Sequence, residues 1–210
     1  MQPKRAIRAV IWDMGGVLVR YSAPEPRQRL ADTYGISEEQ LEELVFHNPM
    51  ADKSTIGAVS VEAVWEYVRA DLSLDPQQLP GFMAAFWSSD RVDEELIDFI
   101  QFLRPQYKTG LLSNAFSDAR QSLSIRFPRL LGIFDETIFS AEVQMAKPDP
   151  RIYHLILDRL GVAPEESIFV DDFIENVAAA RTLGMNAIQF RTARQARQAV
   201  LEALSIDGSE

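Results

Sequence analysis

The chain has 210 residues, 47% of them hydrophobic and 25% charged, and its 31 acidic against 21 basic side chains give a formal charge of −10. This acid excess argues against a surface that binds nucleic acid or an anionic membrane, because phosphate backbones are bound by clustered Lys and Arg. The absence of cysteine and the presence of only two histidines exclude disulfides, thiolate zinc sites, cysteine nucleophiles and histidine-rich metal centres. We therefore expect any metal to be bound by oxygen, as Mg²⁺ prefers.

The predicted elements begin with Ala9–Trp12, a short apolar run typical of a buried strand. This run ends at Asp13, so it is too short for a signal peptide or a membrane span, and we expect a cytoplasmic protein. Residues 21–95 have apolar positions at helical spacing, most clearly over Glu38–Phe46, Val61–Leu72 and Gln78–Trp87, and show no convincing strand. They lie between the first two predicted core strands, so we expect a helical cap domain inserted over the edge of a sheet.

Further short apolar runs predict the remaining strands: Gly110–Leu112, Glu136–Phe139, Ser167–Val170 and Met185–Phe190. Their continuous apolarity is typical of strands covered on both faces, as in a parallel sheet. A helix is predicted over Pro150–Leu160, with Asp149 as its cap and Gly161 at its end, and another from Asn176 to Gly184. This alternation predicts an α/β fold with a doubly wound parallel sheet, in which residues 1–20 and 96–210 form the core and 21–95 the smaller all-helical cap.

Polar residues follow three of the strand runs directly: Asp13, Ser113 and the pair Asp171-Asp172. A single Asp at a strand end caps a turn or a helix about as often as it serves in a functional site. If the strands are neighbours, however, their ends converge where doubly wound sheets bind ligands, and converging carboxylates need a cation between them. Gly15 and Gly16 either form a tight turn or let backbone amides approach a phosphate.

Four stretches together resemble the motifs of the haloacid dehalogenase (HAD)-like hydrolase superfamily, in the family's order. They are IWDMGGVL at 11–18, LLSN at 111–114, AKPDPRIY at 146–153 and FVDDFIEN at 169–176. The insertion after the first motif is similar to the helical C1-type cap of subfamily I. Residues Gly57–Ser60, followed by Glu62 and Trp65, are similar to a stretch common in such caps. The resemblance implies a Rossmann-like core and a hydrolase, in particular a Mg²⁺-dependent phosphatase acting on a small phosphorylated metabolite such as a sugar phosphate.

The resemblance also implies a role for each motif residue. Asp13 is implied to be the nucleophile, and Mg²⁺ is implied to be bound by the Asp13 and Asp172 carboxylates and the Gly15 carbonyl oxygen, with Asp171 acting directly or through water. The residues implied to bind the phosphate group are Gly16, Ser113, Asn114 and Lys147, with Lys147 also offsetting its negative charge. Asn176 is implied to orient the acidic loop, although an ordinary hydrogen bond at a helix start explains it nearly as well.

The sequence departs from the family pattern at Gly15, where family phosphatases usually carry a second Asp that acts as general acid and base. Such assistance is typically worth about 10²–10⁴-fold in rate. Another group or water then supplies the proton, or the enzyme is slow or restricted to good leaving groups, or the protein is a catalytically inactive phosphometabolite-binding or regulatory protein. Two other hydrolase classes stay open: a haloacid dehalogenase, which the pair Asp171-Asp172 disfavours, and a phosphonatase that uses Lys53 as an amine nucleophile.

The cap offers few candidates for substrate recognition. Arg20, Arg27, His47 and Lys53 are interpreted as solvated surface residues, and Trp87 as part of a core. Hinges are expected near residues 19–22 and 90–95, where the chain leaves and re-enters the core domain. The substrate's identity and the oligomeric state are not encoded in any of these patterns.

Overall fold

The structure, a computed structural model, describes residues 6–21 and 25–205. Its strands are β1 (Ala9–Trp12), β2 (Val19–Tyr21), β3 (Asp90–Val92), β4 (Lys108–Ser113), β5 (Glu136–Phe139), β6 (Ser167–Asp171) and β7 (Asn186–Gln189). Its helices are α1 (Glu25–Thr33), α2 (Glu38–Phe46), α3 (Pro49–Thr55), α4 (Val61–Asp71), α5 (Leu79–Trp87), α6 (Glu94–Leu103), α7 (Ala119–Arg126), α8 (Pro128–Leu131), α9 (Ser140–Val143), α10 (Pro150–Leu160), α11 (Ile174–Thr182) and α12 (Ala193–Ser205). A short 3-10 helix spans Pro164–Glu166.

Five strands form a parallel sheet in the order β5-β4-β1-β6-β7, which confirms the predicted doubly wound α/β fold. The order reverses at β1, the first strand along the chain, so β1 has β4 on one side and β6 on the other. Trp12 pairs with Leu111 of β4 and with Val170 of β6. The carboxyl ends of the three strands therefore lie side by side, at the point where ligands bind in such sheets.

Both faces of the sheet are covered by helices, which explains the continuous apolar runs. In β1, Val10 and Trp12 pack with α6 and α12 on one face. Ala9 and Ile11 pack with α10 and α11 on the other face. Helix α10 has the predicted ends: the Asp149 side chain accepts a hydrogen bond from the Arg151 N–H, and Gly161 adopts the left-handed conformation.

Helices α1 to α5 form a helical insertion between β1 and β4, with an apolar cluster of their own. The expectation that residues 21–95 contain no strand is wrong. Strand β3 lies within this range and pairs antiparallel with β2, with Tyr21 opposite Asp90. This strand consists of only three residues, Asp-Arg-Val, and has no apolar run that would predict it. The two ends of the insertion therefore meet in a two-stranded ribbon, while the exact domain boundaries stay a prediction.

Within the described residues, none of the helices combines the length and apolarity needed to cross a membrane.

Candidate active site

Asp13 lies directly beyond β1, in the middle of the sheet's carboxyl edge, and its side chain is buried. Its backbone N–H donates to the Val170 carbonyl oxygen of β6 at 2.8 Å. This bond continues the strand pairing by one residue and fixes the direction in which Asp13 leaves the sheet. Asp171, the last residue of β6, is fully buried beside it.

Lys147 joins these two acids from a loop 134 residues away in sequence from Asp13. Its Nζ donates to Asp13 Oδ1 at 2.7 Å and to Asp171 Oδ2 at 2.6 Å, and only 1% of its side chain is exposed. Lys147 therefore lies inside the site, where the resemblance to the family implies it, and not on a solvated surface. Each of the two hydrogen bonds joins a buried ammonium to a buried carboxylate, so both are charge-assisted.

The pKa values of these groups follow from burial and from their neighbours. Burial raises the pKa of Asp13 to about 7, with Lys147 opposing the shift and Asp171 adding to it. Burial alone would lower the pKa of Lys147, but Asp13 and Asp171 more than offset this and raise it above its ordinary value. Lys147 is therefore a permanent positive charge at neutral pH.

Asn176 lies in the first turn of α11 and contacts the acidic cluster directly. Its Nδ2 donates to Asp171 Oδ1 at 3.0 Å and to Asp171 Oδ2 at 3.2 Å, which makes it more than a helix-start residue. The Tyr153 hydroxyl donates in turn to the Asn176 carbonyl oxygen at 3.1 Å. The sequence analysis placed Tyr153 in the helix predicted over Pro150–Leu160 and gave it no role in the site. Its hydroxyl, placed on an otherwise apolar face, was the available signal of a polar partner.

The three carboxylates form a cluster that can bind a metal ion. One oxygen each from Asp13, Asp171 and Asp172 lie within 4.8 Å of one another. Asp172 Oδ1 is buried and has no hydrogen-bond partner among the described residues. Burial and the charge of Asp171 raise the pKa of Asp172. A buried carboxylate oxygen without a partner, next to two further carboxylates, is the donor set that a hard cation satisfies.

Gly16 makes room for this cluster. Its φ is +75°, a conformation that costs an L-residue about 1–2 kcal/mol. A Cβ at this position would lie 2.1 Å from Asp172 Oδ2, so the Asp172 carboxylate occupies the space that any side chain would need. Gly15 differs, because a Cβ there would meet no heavy atom within 4 Å.

Ser113 is the last residue of the neighbouring strand β4, and Asn114 follows it at the same edge of the sheet. Within residues 6–21 and 25–205, the Ser113 hydroxyl makes only one long hydrogen bond, 3.3 Å, to the Asn114 carbonyl oxygen. The Asn114 side chain binds the backbone of Lys147 at two points: Oδ1 accepts from the Lys147 N–H, and Nδ2 donates to the Lys147 carbonyl oxygen, both at 2.8 Å. This clamp positions the backbone of Lys147, and it leaves one amide hydrogen of Asn114 without a partner among the residues that the structure describes.

The four candidate residues for substrate recognition differ in burial and in their ion pairs. His47 and Lys53 are exposed, as expected. Arg20 is half-buried and forms an ion pair with Asp93. The interpretation of Arg27 as a solvated residue is wrong, because its guanidinium is buried and pairs with Asp90 at 2.9 Å.

Arg27 and Trp87 both pack inside the helical insertion. The guanidinium of Arg27 also pairs with Glu42 at 2.7 Å and lies over the Phe86 ring. Trp87 packs against the Phe46 and Phe86 rings, as predicted for a core residue.

Comparison with known proteins connects this geometry to a family. The model of the haloacid dehalogenase-like hydrolases matches residues 7–184. The phosphorylated carbohydrates phosphatase of Thermotoga maritima is 28% identical over 186 residues, which are 87% of this chain and 84% of that protein. Drimenol cyclase drtB of Aspergillus calidoustus is 26% identical over 190 residues, 88% of this chain, and the chain spans only 34% of its length.

A solved structure gives the same fold. A HAD family enzyme from Bacteroides thetaiotaomicron, in complex with magnesium and inorganic phosphate, superposes with a TM-score of 0.74 at 23% identity, over 90% of this chain and 96% of that chain. The family match begins just before β1 and ends after α11, so it includes all four motif segments and the helical insertion. The chain belongs to the haloacid dehalogenase-like hydrolases.

Proposed function

We propose that the protein is a Mg²⁺-dependent phosphatase that hydrolyses a small phosphorylated metabolite, such as a sugar phosphate, with Asp13 as the nucleophile. The observation that carries this proposal is the buried cluster in which Lys147 holds Asp13 and Asp171, next to the unpartnered oxygen of Asp172. The magnesium and phosphate bound to the related Bacteroides enzyme and the activity named for the Thermotoga relative support it.

The acidic residues at the ends of β1 and β6 are proposed to bind the metal. Asp13 and Asp172 contribute carboxylate oxygens, Gly15 contributes its carbonyl oxygen, and Asp171 acts directly or through water. When bound, Mg²⁺ would supply positive charge that offsets the charge of the phosphoryl group and its attacking carboxylate. Gly16 keeps the Asp172 carboxylate in place, because it leaves free the space that a side chain would occupy.

The first chemical step is proposed at Asp13. An oxygen of its carboxylate attacks phosphorus, the bond from phosphorus to the leaving oxygen breaks, and an aspartyl-phosphate forms. Ser113 and Asn114 donate hydrogen bonds to the phosphoryl oxygens, and the fixed charge of Lys147 stabilises the negative charge that gathers there. The leaving oxygen takes its proton from water, since residue 15 is a glycine without a side chain that could donate one.

Water completes the reaction. It attacks phosphorus of the aspartyl-phosphate, and the bond between phosphorus and the Asp13 oxygen breaks. One proton of this water stays on the phosphate and the other returns to solvent, which balances the proton given to the leaving oxygen. Inorganic phosphate then leaves with the Asp13 carboxylate restored. Asn176 holds Asp171 in one orientation through both steps. The substrate beyond its phosphate group is recognised by the helical insertion, whose position over the carboxyl edge excludes water during the reaction.

The test is phosphate release from a panel of phosphate esters with Mg²⁺ and with EDTA. We expect turnover that needs Mg²⁺ and disappears in Asp13→Asn, which keeps the size of the side chain but removes the nucleophile. Asp98→Asn is the matched control, since Asp98 is exposed on α6 and pairs with Arg129. If wild-type protein releases phosphate from no ester of the panel, the proposal is wrong.

Gly15 favours a second candidate, a phosphometabolite-binding or regulatory protein that has lost turnover. Its signature would be phosphate binding by calorimetry without hydrolysis. Gly15→Asp separates the cases further, because the structure has open space at this position. A higher rate in this variant means that proton transfer to the leaving group limits the natural enzyme, and an unchanged rate means that another donor already serves. Location in the cytoplasm stays a prediction from the sequence.

A further inference from the structure

The helical insertion contacts the core at a loop that begins with Asn114, one of the phosphate-binding candidates. We call residues 114–118, directly after β4, the β4 loop. Its first residue, Asn114, clamps the backbone of Lys147. Its later residues, Phe116 and Ser117, contact the insertion. Three positions of one loop thus join the substrate-covering part of the molecule to the lysine of the site.

Phe116 extends the aromatic interior of the insertion. Its ring lies against the Phe46 ring of α2, with centroids 6.1 Å apart and an interplanar angle of 24°. Phe46 in turn packs against Phe86 and Trp87 of α5, at 5.6 and 5.8 Å between centroids. Offset stacking of this kind contributes about 0.5–1.5 kcal/mol beyond the area buried. A core-domain side chain is therefore part of the insertion's own apolar cluster.

Ser117 caps a helix that belongs to the insertion. The first N–H groups of a helix lack partners within the helix and are usually satisfied by the preceding side chain. At α4, the preceding residue Ser60 makes no such bond. The Ser117 hydroxyl instead accepts the hydrogen bond of the Val61 N–H at 3.0 Å. Separation of the insertion from the core would leave this N–H to water.

The backbone itself closes the remaining gap between insertion and core. Gly57, in the connection between α3 and α4, has a φ of +68°. A Cβ on Gly57 would lie 2.2 Å from the Ala141 carbonyl oxygen at the start of α9. The contact is thus a close approach of two main chains, and it holds the insertion next to the loops that follow β4 and β5.

The β4 loop is held equally firmly on its core side. The Ala115 N–H donates to the buried Ser140 hydroxyl at 2.9 Å, and this hydroxyl donates back to the Ala115 carbonyl oxygen at 3.3 Å. Asn114 and Ala115 are therefore fixed to the two loops that carry Lys147 and α9, while the next two residues are fixed to the insertion. Because both halves of this short loop are bound, we expect a displacement of one half to shift the other.

We propose that Phe116 and Ser117 are positioning residues, which couple the seating of the helical insertion on the core to the orientation of Lys147 through Asn114. Seating the insertion over a bound substrate then also sets the lysine in its working position. The proposal deepens the proposed phosphatase function and rests on it, because Lys147 is taken as the charge that acts on the phosphoryl group.

Amide hydrogen exchange followed by NMR tests the coupling without any turnover. In Ser117→Ala, the Val61 amide loses its acceptor and its exchange should accelerate about fivefold, as for one lost hydrogen bond. Coupling requires that the Lys147 amide, which donates to Asn114 Oδ1, also exchanges faster. Ser117→Thr keeps the hydroxyl and should restore both rates. Ser124→Ala, on an exposed face of α7, is the matched control and should change neither.

The second measurement is steady-state kinetics with a phosphate ester that the wild-type protein hydrolyses. We expect Ser117→Ala to lower kcat about fivefold with a smaller change in KM, because the misplaced group is Lys147 and not a substrate contact. Faster exchange at Val61 with unchanged exchange at Lys147 overturns the proposal, and so does a rise in KM alone. If Ser117→Ala does not fold, Phe116→Leu poses the same question through the aromatic contact. Absence of turnover in the wild type would defeat the phosphatase proposal, whereas the exchange data would still decide the coupling.

Discussion

Replacing Lys147 by methionine tests the buried ion cluster of the site. Methionine has nearly the length of lysine and leaves no cavity, so the change removes mainly the positive charge. Two carboxylates, Asp13 and Asp171, then remain buried side by side without the ammonium that now lies 2.7 and 2.6 Å from them. We expect the metal-free variant to be strongly destabilised.

The magnitude follows from burial, since the side chains of Asp13 and Asp171 are only 8% and 0% exposed and water cannot replace the lost ammonium. Removing one partner of a buried ion pair typically costs about 3–5 kcal/mol. For a chain of this size, a loss of about 4 kcal/mol lowers Tm by about 8–16 °C.

The measurement is urea unfolding at pH 7 in EDTA and in Mg²⁺, with Lys53→Met as the same substitution at an exposed lysine. Mg²⁺ should restore more stability to Lys147→Met than it adds to the wild type, because a cluster that has lost a positive charge attracts a cation more strongly. A loss below about 1 kcal/mol in EDTA would refute the reasoning, since it would mean that the two carboxylates are not electrostatically coupled through Lys147.

Three further outcomes follow from the geometry. Gly16→Ala should weaken Mg²⁺ binding at least about tenfold by calorimetry, because its Cβ displaces the Asp172 carboxylate and its φ is unfavourable; unchanged affinity would exclude Asp172 in its present position as a ligand. Arg27→Met should lower the free energy of unfolding by about 3 kcal/mol, since Asp90 is buried and keeps only one of its two arginines. Arg29→Met, on the exposed side of α1, is the control and should cost less than about 0.5 kcal/mol. Equal losses in the two variants would contradict the buried network. Mg²⁺ at about 100 times its Kd should raise the free energy of unfolding of the wild type by about 2.7 kcal/mol, and no rise would count against a metal site in the folded state.

The central sheet could be predicted from the sequence because its strands are buried on both faces. Runs such as Ala9–Trp12 and Ser167–Val170 are continuously apolar, and only the sheet interior needs that pattern. The order of the strands could not be predicted from these runs, because which strands lie side by side depends on how the helices pack on the sheet and not on a local pattern. Strand β3 could not be predicted, since its residues Asp90–Val92 are held by pairing with β2 and by the ion pairs of Asp90 with Arg27 and Arg126, and neither depends on a local pattern.

The convergence of the acidic residues could be expected from the sequence, but the connections within the cluster could not. Asp13 and the pair Asp171-Asp172 each follow an apolar run directly, so their side chains meet if the two strands are neighbours, as the structure shows. The clamp of Asn114 on the Lys147 backbone joins residues that are 33 positions apart, through two side-chain atoms. The burial of Arg27 depends on Asp90, which is 63 positions away. No spacing rule connects such pairs, because they are brought together only by the packing of complete elements.

The antiparallel ribbon of β2 and β3 has a consequence for how this fold can change. The ribbon brings the two ends of the insertion side by side. The backbone hydrogen bonds of the ribbon therefore offset part of the entropy lost when this long loop is closed. Loop-closure entropy rises only slowly with length, by about 0.6 kcal/mol for each doubling. Residues between the two strands could therefore be lengthened, shortened or exchanged at small thermodynamic cost, without shifting the register of the catalytic strands. The acidic residues at the sheet edge would keep their positions, while a changed insertion would admit a different substrate under the proposed function.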